Sequence, residues 1–138
     1  MAVNWVALIV AAIVSWVIGA GWYMVFANQW LAAIGKTKEQ INARDPTPFI
    51  WSIVVQLVMA YFVALLTPQL FGATNVANGL MTGALMWLAF SITTMIQNHR
   101  YEGAPWSRTL IDGGYTLVIL LVHGLVIGFF GGGAAPAA

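Results

Sequence analysis

The chain has 138 residues, 61% of them hydrophobic and 7% charged, with five Lys/Arg, four Asp/Glu, two His, no Cys and a mean hydropathy of +0.86. That balance excludes an ordinary soluble globular domain and points to an integral membrane protein, while the absence of cysteine removes disulfide, thiolate and Cys-zinc chemistry. A net charge of +1 is too small to imply nucleic acid as a partner.

Four apolar runs follow in order, at residues 3–26, 49–66, 80–96 and 110–130. A span takes about 20 residues at about 1.5 Å each, so the expected fold is all-α: four transmembrane helices in one compact domain over residues 1–130, arranged as two helical hairpins. The third run is the shortest. The first has no basic n-region and is longer than the h-region of a signal peptide, which makes it a retained helix. Trp5, Trp22, Tyr23, Trp30, Trp51, Tyr61 and Tyr115 are placed as interfacial aromatic belts.

Thr37 followed by Gln40 matches a capping box and predicts a short helix over residues 38–44, ended by Asp45-Pro46 and Pro48. In the third connection Gly103 and Pro105 suit a turn and the start of the next helix. The Gly/Ala-rich tail, residues 131–138, is too poor in packing groups to join the fold. Every Lys and Arg falls within residues 36–44 or 100–108, the first and third connections. Short basic loops stay in the cytoplasm, so both termini are expected on the outer side.

Asn4-Trp5, Gly19, Trp22-Tyr23, Phe26 and Trp30, then Met59-Ala60-Tyr61, then Tyr101-Glu102-Gly103 followed by Gly114-Tyr115 together resemble the small bacterial membrane proteins grouped as domain of unknown function 1761. The resemblance extends over nearly the whole chain and implies the same four-helix architecture in a bacterial inner membrane, with no activity to carry over. This chain has Asp112-Gly113-Gly114 where that family's pattern has Asn-Ala-Gly, so the carboxylate is a local feature.

Small residues carry helix association in lipid, because little hydrophobic force acts between helices there. Gly113, Gly124 and Gly128 fall close together around the fourth helix, Gly79 and Gly83 repeat the small-xxx-small spacing on the third, and Ala12, Ser15 and Gly19 form a stripe on the first. These faces suit packing within the bundle or against a second copy.

Chemistry-bearing groups are few. Asp112 and His123 are separated by about three turns and about 16 Å of one helix, with Thr116 between them on the same face. Ionisable groups within a span cost about 2.5–3.5 kcal/mol at its centre and turn toward a bundle interior or wet cavity. Gln56, with Ser91, Thr93 and Thr94, completes a candidate polar lining, and Asn98, His99, Arg100, Glu102 and Arg108 gather at its cytoplasmic mouth.

Structural roles compete with each of these. Asp112 in the first helical turn would favour the helix dipole and pair with Arg108, together about 0.5–1.5 kcal/mol. His123 as a neutral imidazole would close a hydrogen bond between helices. A lone His is a weak signal for a haem-type ligand, and His99 with Glu102 lacks the third ligand of a zinc site, so no metal site is expected and the sequence identifies no cofactor. Without a nucleophile pair, a phosphate-binding loop or paired carboxylates, the expected role is non-enzymatic: a bundle, homo-oligomeric in one form, that binds or passes a small molecule or proton. The alternatives are an accessory subunit of a larger membrane complex and, more weakly, a membrane-embedded enzyme.

Overall fold

The structure, a computed structural model, describes residues 3–131, and all the regular elements among them are helices. Helix α1 (Trp5–Val25) starts where the Asn4 side chain accepts the Ala7 N–H at 3.1 Å. After a break at Phe26 the chain turns into α2 (Ala27–Ile34), which ends on Gly35 at φ 70°. That left-handed conformation is one glycine adopts without a Cβ penalty. The apolar run over residues 3–26 therefore understates the helical segment, because the polar Asn28 and Gln29 that end the run do not end the helix.

The helix expected over residues 38–44 reduces to one 3-10 turn, Lys38–Gln40. Side chains divert the backbone there: Gln40 Oε1 accepts the Thr37 N–H at 2.8 Å, Asn42 Oδ1 the Arg44 N–H at 3.2 Å, and Asp45 Oδ1 the Thr47 N–H at 3.0 Å. Such local bonds compete with a helix ladder. The Thr47 N–H also holds the Asp45 carboxyl below the usual carboxylate range.

Helix α3 (Thr47–Phe71) passes through Pro68 and ends on Gly72. Pro68 sits in the last turn, where little ladder remains to lose, and the neighbouring Thr67 hydroxyl bonds back to the Val63 carbonyl at 2.6 Å. The second connection is accordingly shorter than residues 67–79. The third span is a continuous helical rod, α4 (Val76–Met86), a π turn (Trp87–Ser91) and α5 (Ile92–Tyr101). Helix α6 (Trp106–Phe130) starts directly after Pro105. Four helices are long and apolar enough to cross a membrane: Trp5–Val25, Thr47–Phe71, Val76–Tyr101 and Trp106–Phe130. Apart from Gly131, the tail expected over residues 131–138 lies outside the described residues.

Register is legible from contacts. Cβ atoms built on Gly79, Gly83 and Gly128 would overlap the backbone of Gly124, Leu120 and Asn75, so α4 and α6 run antiparallel with their backbones touching. Helix α1 is antiparallel to α6, with Trp22 bonding the Ile111 carbonyl at 3.0 Å and Ser15 facing His123. It is also antiparallel to α3, with Trp5 against Tyr61 and Ser15 against Gln56. The end of α1 and the start of α6 thus share one end of the bundle, which we call the basic end, since both Lys/Arg-bearing connections meet it. An apolar cluster of Ala7, Leu8, Ala11, Ala12, Ala60, Val63, Ala64, Leu120 and Ile127 fills the opposite half. Val6, Ile9, Ile13 and Val17 point outward, as lipid-facing positions should.

A buried polar chain and an adjoining cleft

Polar side chains from three helices meet in the middle of this apolar body. Ser15 on α1, Gln56 on α3 and His123 on α6 are fully or almost fully buried. The Ser15 hydroxyl lies 2.7 Å from Gln56 Oε1, 3.1 Å from the Ala12 carbonyl and 2.7 Å from His123 Nε2. Gln56 Nε2 in turn donates to the Tyr115 hydroxyl at 3.0 Å. A single Ser15 proton, given to an oxygen, leaves Ser15 Oγ an acceptor toward His123, so Nε2 carries the ring hydrogen. His123 Nδ1 is then a bare acceptor, and it has no hydrogen-bond partner among the described residues.

Nearer the basic end the Tyr23 hydroxyl donates to Asp112 Oδ1 at 2.7 Å, and the Tyr23 and Tyr115 rings stand 5.0 Å apart. The two tyrosines therefore join an outer carboxylate group to an inner Ser–Gln–His group. Asp112 Oδ2 also has His99 Nε2 at 4.0 Å and Arg108 Nε at 3.8 Å. The Arg108 guanidinium reaches Glu102 at 3.1 Å, and His99 Nδ1 meets Thr109 at 2.8 Å. Arg100 bonds the Ala104 carbonyl and Thr109, each at 2.9 Å, and stacks 3.7 Å over Trp106.

Asp112, Gln56 and His123 thus belong to linked groups, and His99, Arg100, Glu102 and Arg108 lie together at the basic end. Three expectations need correction. Thr116 does not join the chain: it faces the π turn, where Trp87 Nε1 donates to Thr116 Oγ1 at 3.1 Å and to the Gly113 carbonyl at 2.9 Å. Tyr115, one residue and about 100° round the helix, takes that place. Asp112 is also beyond the first helical turn, because α6 begins at Trp106, so its setting is the Tyr23 and Arg108 contacts more than the helix end. Thr93 bonds within its own helix and is exposed, whereas Ser91, Thr94, Asn98, His99 and Glu102 border a separate hollow of about 370 Å³. Gly113 receives Ile92 Cδ1 2.6 Å from where its Cβ would stand.

Sequence reasoning missed a cleft of about 710 Å³. From α1 and α2 it is lined by Trp16, Gly19, Ala20, Tyr23, Met24, Ala27, Trp30 and Leu31; Lys38, Ile41 and Ala43 come from the first connection, Pro48, Phe49 and Ser52 from or beside the start of α3, and Tyr115 from α6. Gly19 admits the Tyr115 ring, whose Cε1 would lie 2.5 Å from a Cβ there. Tyr23 and Tyr115 are the residues shared by cleft and polar chain. Among the described residues no group of three or more His, Cys, Asp or Glu is placed to hold a metal ion.

Fold and site together define a helical bundle with four candidate spans, a polar seam among three helices and an apolar cleft whose tyrosines are fixed from behind. The chain belongs to the family described as protein of unknown function (DUF1761), whose model matches residues 6–128. No curated protein and no solved structure matches it.

Proposed function

We propose that this protein is a non-enzymatic membrane bundle that binds a small molecule with an apolar body in the cleft between α1, α2 and the first connection. One observation carries this reading: Tyr23 and Tyr115 both line the cleft, and each hydroxyl is held by a partner outside its lining, Asp112 for Tyr23 and Gln56 for Tyr115. Gln56 is itself held by Ser15, and Ser15 by His123. Positioning of that kind is what a binding site requires, since polar groups fix a ligand's orientation only if their own rotamers are locked. A cavity of about 710 Å³ lies within the range of about 300–1,000 Å³ usual for small-molecule sites, which combine apolar walls with a few convergent polar groups.

In this reading Asp112 and His123 position the tyrosines and do not form a pathway. A Gln carboxamide in mid-chain and two tyrosine rings tilted 53° to each other, in contact through their rings, suit a fixed scaffold better than transfer of protons. An accessory subunit would need glycine faces free to pack against a partner, and Gly79, Gly83, Gly124 and Gly128 are occupied by contacts inside the chain.

Thermal unfolding of the purified protein against anionic, neutral and cationic single-chain amphiphiles tests the proposal. At 100 times its Kd a ligand stabilises the folded state by about 2.7 kcal/mol, so at least one class should raise Tm for the wild type and fail to do so for Ala20→Phe, which fills the cleft. Equal responses of both proteins to every class would contradict it.

A further inference from the structure

The lining of the cleft shows a one-sided chemistry. Its only charged side chain is Lys38, which forms no ion pair among the described residues; the acidic neighbours Glu39 and Asp45 on the same connection are not part of the lining. Tyr115 accepts from Gln56, and its own O–H has no acceptor among the described residues. Trp16 and Trp30 line the cleft as well, and neither indole N–H is hydrogen-bonded among the described residues. The unbonded side-chain groups are therefore an ammonium, a phenol, the Ser52 hydroxyl and two indoles, all able to donate, with the hydroxyls able to accept as well.

Their placement has a polarity. Trp16 lies about two and a half turns inside the end of α1, whereas Lys38 sits on the exposed 3-10 turn and Tyr23 near the helix end. The cleft thus runs from a cationic entrance at Lys38, at the basic end, to a mostly apolar inner part at Trp16, Gly19 and Ala20, where the Tyr115 ring packs on Gly19. Resting on the reading that the cleft is a binding site, we propose that its ligand is an anionic single-chain amphiphile, a long-chain carboxylate, with its head at Lys38 and its chain directed toward Trp16. A carboxylate offers only acceptors, about four lone-pair directions on two oxygens, and supplies a counter-charge to Lys38, unpaired among the described residues. A cationic head would meet Lys38 in repulsion, and a neutral head would leave it without a counter-charge.

Quenching of tryptophan fluorescence by 9,10-dibromostearic acid tests this on the full chain in detergent, with dibromostearate methyl ester as the uncharged comparison. The expected result is saturable quenching at one acid per chain, much weaker quenching by the ester, and an affinity for the acid about five-fold lower in Lys38→Gln, the effect of one interfacial cation. Lys38 is exposed and outside the packed core, so its variant does not endanger folding. Equal saturable binding of acid and ester, indifferent to Lys38→Gln yet lost in Ala20→Phe, would overturn the carboxylate while leaving the cleft as a binding site. Quenching that never saturates and is the same in Ala20→Phe would overturn both.

Discussion

At the scale of single residues the fold depends on how Ser15, Gln56 and His123 satisfy one another in an apolar interior. Hydrogen bonds between membrane helices average about 0.6 kcal/mol and reach about 1.7 kcal/mol. Ser15→Ala removes contacts to both Gln56 and His123 and is expected to destabilise by about 1–2 kcal/mol, measured by denaturant titration in micelles; no change would mean that the contacts do not form. The bonding pattern also fixes the histidine tautomer. Bare Nδ1 is preferable to an orphaned ring N–H, because buried unpaired donors are rarer and costlier than under-satisfied acceptors. Nitrogen-15 spectra of His123 in bilayers should show a protonated Nε2 and an unprotonated Nδ1; the opposite assignment would reverse the chain's direction. Gln56, Asp112 and His123 were legible as polar groups in apolar runs, since any such group needs a partner. Ser15 read as a small packing residue, and Tyr23 and Tyr115 as interfacial anchors, because composition alone does not tell an inward tyrosine from one at the headgroups. The spacing of Tyr115 three residues after Asp112, on a neighbouring face, was the signal available.

At the scale of elements, all four long helices could be read from hydropathy, while their ends could not. Arg108 and Thr109 lie before the apolar run and Asp112 falls inside it, yet all three are within α6, and Pro68 and Gly79 weaken the pattern without ending α3 or α4. Hydropathy records burial in lipid, whereas a helix continues wherever its backbone ladder can. The first connection failed in the other direction: its capping residues were visible, but the turns made by Asn42 and Asp45 stopped the helix. Contact between α4 and α6 rests on glycine, which gives a graded test. Gly79→Leu or Gly124→Leu should push the two backbones apart and lower Tm by several degrees or prevent folding, because a Cβ at either site meets the partner's backbone. Gly21→Ala, with open space around it, should be neutral or stabilising by up to about 1 kcal/mol. Equal effects at Gly79 and Gly21 in thermal unfolding would contradict the close packing.

At the scale of the whole molecule, charge and cleft lie at the same end. We propose that this end faces the cytoplasm, because every Lys and Arg falls in the two connections that meet it. Reporter fusions at the C-terminus should be active outside the cytoplasm, and activity confined to the cytoplasm would invert the topology. The cleft itself could not be read from the sequence, since its lining is gathered from α1, α2, the first connection, α3 and α6, and no periodicity records where a connection folds back. The most direct test of the binding reading is native mass spectrometry of the protein extracted from its own membrane in a gentle detergent. The account predicts one amphiphile adduct per chain, lost in Ala20→Phe, with no stoichiometric foreign subunit. Wild-type protein without any adduct, or an adduct retained unchanged in Ala20→Phe, would contradict it.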